Sequence, residues 1–110
     1  MEIYYKTKQM QKLCCDEAMM RRRLGAVMAR KLKQRLMELS AVASLSDISY
    51  LPPARCHLLK GSGMIFSVDL EHPYRLLFTP QGPIFKTENG EIDRTRIKGI
   101  IITAIADTHQ

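Results

Sequence analysis

No apolar run in this chain approaches a membrane-spanning length. The longest, Ile100 to Ile102 with Ala104 to Ala106 close behind, falls far short of the ~20 residues a helix needs to cross a bilayer. Met1 leads into an alternating polar segment with no apolar h-region, so no secretory signal is expected. Cysteine is scarce and odd in number, at three. Without an export signal that points to a reducing cytoplasm rather than a disulfide framework. Membrane, secreted and fibrous classes drop out, and a cytoplasmic protein is expected. What remains is 110 residues that are 45% hydrophobic and 25% charged, too apolar for a disordered chain. That length predicts one domain over residues 1–110, able to fold without disulfide staples.

The charge is one-sided. Lys and Arg number 17 against 11 Asp and Glu, for a net +6. Residues 1–40 carry ten basic side chains and only Glu2, Asp16, Glu17 and Glu38 against them, whereas residues 41–110 balance at seven each. The whole excess therefore lies in the first two-fifths of the chain. Such a field favours polyanionic partners, nucleic acid first and an acidic protein second. Composition alone favours the competing explanation, a plain solvated helical surface.

Patterning divides the chain at about residue 44. Glu2 to Lys6 is β-prone and short, suited to an edge strand. Lys8 to Leu24 reads as one helix, closed by Arg21, Arg22 and Arg23 in its last turn and by Gly25 as cap. A second helix follows over Ala26 to Ala43, with Met28, Leu32, Leu36, Leu39 and Ala43 as its apolar stripe. Pro52-Pro53 interrupts the connector, and thereafter the period drops to two. Strands are predicted at Arg55–Leu59, Met64–Leu70, Tyr74–Thr79 and Ile97–Asp107, with a long hairpin connection over 80–96. Apolar residues on both faces place the last strand centrally. The fold class is α+β, an N-terminal strand and a two-helix hairpin packed on an antiparallel sheet.

Metal chemistry finds little support: Cys14 and Cys15 are adjacent, and on a helix they diverge by ~100°. Cys56-His57 stands alone, so buried thiols are expected, with no metal and no cofactor. Gly61-Ser62-Gly63 reads as a turn rather than a nucleotide-binding fingerprint. His57, His72 and His109 carry more weight. With Lys60, Arg75 and Asp107, one sheet could display two imidazoles, a carboxylate and two cations. That set suits phosphodiester transesterification, in which an imidazole takes the ribose 2′-hydroxyl proton and cations hold the phosphorane. Taken singly, each of these residues reads better as an ordinary polar side chain facing solvent.

The runs Arg55-Cys56-His57-Leu58-Leu59-Lys60-Gly61, Phe66-Ser67-Val68-Asp69-Leu70 and His72-Pro73-Tyr74-Arg75-Leu76, with Ile105, Asp107 and His109 at the end, closely resemble the RelE/HigB-type killer toxins of bacterial type II toxin–antitoxin systems. The opening Met-Glu-Ile-Tyr-Tyr-Lys and the helices are similar too, so the resemblance spans nearly the whole chain. It implies a ribosome-dependent endoribonuclease that cuts translated mRNA and is silenced by a cognate antitoxin, a helix-turn-helix protein of the HigA kind. Operator DNA would be reached only through that antitoxin, and no membrane is involved. Carried over by position, His57, Lys60, Arg75, Asp107 and His109 are the implied catalytic residues. Arg21, Arg22, Arg23, Arg30, Lys31 and Lys33 are expected to meet ribosomal RNA. Two departures stand out: Thr108 replaces the family's tyrosine, and Ser62-Gly63 replaces a longer basic turn. Both reduce grip on RNA. The alternatives are a non-enzymatic ParE-like toxin that binds DNA gyrase, and a weakened member that mainly binds antitoxin and co-represses its operon.

Overall fold

Thr7 starts the helical half of the chain: its Oγ1 accepts the Met10 N–H at 3.1 Å, taking up one of the donors a helix start leaves open. In the computed structural model, which describes residues 1–108, the elements run in the order β1 (Glu2–Tyr5), α1 (Lys8–Cys15), α2 (Glu17–Leu24), α3 (Ala26–Ala41), β2 (His57–Leu58), β3 (Phe66–Asp69), β4 (Tyr74–Pro80) and β5 (Gly99–Asp107). Short 3₁₀ turns lie at Leu45–Asp47 and Arg94–Arg96.

The single helix expected over Lys8–Leu24 is two. Asp16 leaves the helical region at φ −119°, ψ 104°, and its carboxylate accepts the Met19 N–H at 3.1 Å to begin α2. A capping side chain thus overrides a run of good helix formers. Gly25, at φ 83°, then turns the chain into α3, a conformation that glycine takes without strain. The third helix stops at Ala41, leaving Ala43 exposed outside it.

The sheet order is β1-β5-β4-β3-β2. The N-terminal strand is indeed at an edge and β5 is internal, but β1 pairs with β5 in parallel, so the sheet is mixed rather than antiparallel throughout. Strands expected at Arg55–Leu59 and Met64–Leu70 shrink to two and four residues. The 80–96 connection holds a small bridge between Lys86 and Ile92, and is tied back where Leu45 N–H meets the Ile97 carbonyl at 3.0 Å.

Leu32 and Leu39 of α3, Phe66 and Val68 of β3, Leu76 and Phe78 of β4, and Ile100 and Ile102 of β5 form the buried centre. Phe66 and Phe78 face each other across the ladder and stack, with ring centroids 6.0 Å apart. Each ring contributes about 1.5–3 kcal/mol by leaving water, and the pairing adds ~0.5–1.5 kcal/mol. Among the described residues no helix is long and apolar enough to cross a membrane.

Candidate functional site

Period-two alternation sends Phe66 and Val68 into this core and therefore Ser67 and Asp69 to the other side of β3. Register then assembles a cluster on that side. His57 lies directly across from Ser67, and Asp69 directly across from Arg75. A guanidinium only donates, so the 2.8 Å contact between Arg75 Nη1 and His57 Nε2 makes Nε2 the acceptor. The ring proton then belongs on Nδ1, which donates to the Arg55 carbonyl at 2.9 Å. These two partners assign a neutral imidazole with its lone pair on Nε2.

The carboxylate of Asp69 stands between two guanidinium groups, with Arg75 Nε at 3.5 Å from Oδ1 and Arg55 Nε at 3.6 Å from Oδ2. Arg75 is 8% exposed, whereas the Arg55 side chain is 47% exposed. A cavity of 70 Å³ opens beside the cluster, bounded by Arg55, Asp69, His72, Tyr74 and Arg75.

Arg55 is the one non-glycine residue with positive φ among those described, at 50°. The left-handed region costs an L-residue ~1–2 kcal/mol. The surrounding backbone holds it there: Arg55 N–H reaches the Leu51 carbonyl at 3.0 Å, Cys56 N–H the Ser49 carbonyl at 2.9 Å, and Asp69 N–H the Ala54 carbonyl at 2.7 Å.

The residues expected at the site are thus partly assembled. His57 and Arg75 meet. Lys60 is exposed in the turn after β2. Asp107 pairs across from Tyr74, and its neighbour Ala106 pairs with Arg75, so Asp107 alternates away from the Arg75 side of the sheet. His109 lies outside the described residues. Asp69 and Arg55 join the cluster without any sequence signal of their own. The strand period sets Asp69 opposite in facing to Phe66, but nothing local shows which cation sits across the hairpin.

The basic helical segment divides in two. Arg21, Arg22, Arg23, Arg30 and Lys33 are exposed and Lys31 is half-buried. Arg21, Arg30 and Lys33 line a groove of 340 Å³ between α2 and α3. Glu17 shares it, ion-paired to Lys33, whose ammonium holds the carboxyl below its ordinary range. Arg35 belongs to the same charge excess but is buried.

Burial pushes the Cys14 thiol up to about 12, with Cys15 adding to the shift, and Cys56 up to about 11. Both stay protonated at neutral pH, so neither is a ready nucleophile or metal ligand. Among the described residues no three His, Cys, Asp or Glu side chains converge as a metal site. Protein-family models, curated proteins and solved structures yield no match to this chain.

Proposed function

We propose that the chain is a toxin of the RelE/HigB type, with a RelE-like fold, acting in the cytoplasm as a ribosome-dependent endoribonuclease on translated mRNA. The observation that carries the reading is the 2.8 Å contact between His57 Nε2 and Arg75 Nη1 on one side of the sheet. It sets a proton acceptor beside a buried cation, the pairing that transesterification at phosphorus needs.

Nε2 takes the proton of a ribose 2′-hydroxyl as O2′ attacks phosphorus. The guanidinium of Arg75 turns from the imidazole to the equatorial oxygens, where charge builds up in the transition state, and Lys60 adds a second cation. The P–O5′ bond breaks and the leaving oxygen is protonated by an acid, assigned by the family resemblance to the Asp107–His109 end of the chain. Products are a 2′,3′-cyclic phosphate and a 5′-hydroxyl. Arg21, Arg30 and Lys33 hold ribosomal phosphates without reading sequence, and a HigA-like antitoxin silences the protein.

Toeprinting of translated mRNA with purified protein tests the reading. Ribosome-dependent cuts ending in cyclic phosphate are expected. Intact messages together with loss of DNA supercoiling would replace the nuclease with the gyrase-binding alternative. Intact messages with antitoxin binding alone would leave the weakened co-repressor.

A further inference from the structure

His57, Arg55, Asp69 and Arg75 form a closed circuit. From the Arg55 side chain it passes to Asp69 at 3.6 Å, from Asp69 to Arg75 at 3.5 Å, and from Arg75 to His57 at 2.8 Å. From His57 it returns to Arg55 at 2.9 Å, now to the backbone carbonyl. It begins and ends on the residue whose backbone is left-handed.

Its parts have separate effects. The turned backbone of Arg55 aims its carbonyl at Nδ1 and so places the lone pair on Nε2. Asp69 draws the Arg75 guanidinium toward the same spot through its Nε edge, leaving Nη1 to meet the imidazole. Two ion pairs at 3.5 and 3.6 Å are longer than hydrogen bonds and can tighten when an anion arrives, as contacts in unliganded sites commonly do.

We propose that Asp69 and Arg55 are positioning residues: Asp69 orients Arg75, and the Arg55 carbonyl selects the His57 tautomer that can accept a proton at Nε2. The proposal rests on the nuclease reading for its consequence but not for its geometry. Neither residue touches the reacting atoms, so their loss acts through alignment.

Two variants and two readouts test this. Long-range proton–nitrogen NMR of the imidazole reports which ring nitrogen carries the proton, and cleavage of translated mRNA gives kcat and KM separately. Wild-type protein should show His57 protonated at Nδ1. Asp69→Asn keeps the size of the side chain but drops its charge. It should mix the tautomers and lower kcat by ~10²-fold, the scale of a small misplacement of reacting groups, with KM for ribosomes unchanged. Arg55→Gly retains the left-handed backbone and its carbonyl, so it should keep the Nδ1–H tautomer and lose less rate than Asp69→Asn.

A wild-type imidazole protonated at Nε2 overturns the proposal. So does an Asp69→Asn protein that cuts at the wild-type rate with an unchanged imidazole spectrum, and in that case the nuclease reading survives. If the spectra behave as expected but the wild-type protein cuts no message, the circuit is upheld and the nuclease reading is the part that fails.

Discussion

Arg35 of α3 donates from Nε to the backbone carbonyl of Asp69 at 2.9 Å, joining the longest helix to the end of the strand that carries the site. The same guanidinium reaches the Pro53 carbonyl at 3.1 Å and Glu38 at 3.2 Å, and the residue is 4% exposed. A charge is tolerated there because its donors are used.

Replacing Arg35 by Ala strands two backbone carbonyls on separate segments. Hydrogen bonds to a charged donor contribute ~1.5–3 kcal/mol each, so a loss of about 3 kcal/mol is expected. Urea unfolding should show a lower midpoint with unchanged slope. Arg35→Lys should recover little, since one ammonium cannot span the three partners. A midpoint within error of wild type would show that the joint between helix and strand is dispensable.

His57→Ala should lose ~10²–10⁴ in cleavage rate, the worth of a positioned base, with ribosome binding intact. Arg75→Ala should also be slow, but it removes the acceptor's partner as well and frees Nε2. Cleavage by His57→Ala at the wild-type rate would remove the imidazole from the mechanism.

The resemblance assigns Asp107 and His109 to catalysis, so Asp107→Asn and His109→Ala are expected to fold and bind ribosomes but cut poorly, with His109→Ala the slower. Thr108→Tyr should raise activity if a stacking ring is what this chain lacks, since base–aromatic stacking contributes ~1–3 kcal/mol. No gain from tyrosine would mean that another group holds the base.

Neutralising Arg21, Arg30 and Lys33 together should weaken ribosome association on all messages. The log–log salt dependence should flatten by ~0.7–0.9 for each phosphate that the variant no longer neutralises. Lys33 should contribute least, because Glu17 already pairs with it. An unchanged salt slope would reduce the groove to a solubilising face.

Cys15 is exposed whereas Cys14 and Cys56 are buried, so native protein at mildly alkaline pH should take up alkylating reagent at Cys15 alone. Burial raises the Cys14 and Cys56 thiols from 9.0 to about 12 and about 11. From pH 9 upward the unfolded chain therefore releases protons that the folded chain retains, and stability falls as pH rises through that window. Peptide mapping of the label checks the first point and thermal melts the second; Cys56 reacting as fast as Cys15 would contradict both.

Local pattern determined a good deal by itself. The four-four-three spacing of Met28, Leu32, Leu36 and Leu39 specified α3, and alternation around Phe66, Val68, Leu76 and Phe78 specified which side of the hairpin enters the core. Apolar residues on both faces of 97–107 were enough to place β5 inside the sheet. These features follow from hydrophobic period, which each segment carries within itself. Tertiary structure decided what depends on partners far along the chain. The parallel pairing of β1 with β5 joins residues nearly a hundred positions apart, and Arg35 is buried with its charge because its acceptors belong to Asp69 and Pro53. The Arg55–Asp69–Arg75–His57 circuit is the same case: its charges are plain in the sequence, but their alignment needs a hairpin register and one left-handed backbone, set by bonds to Leu51, Ser49 and Ala54.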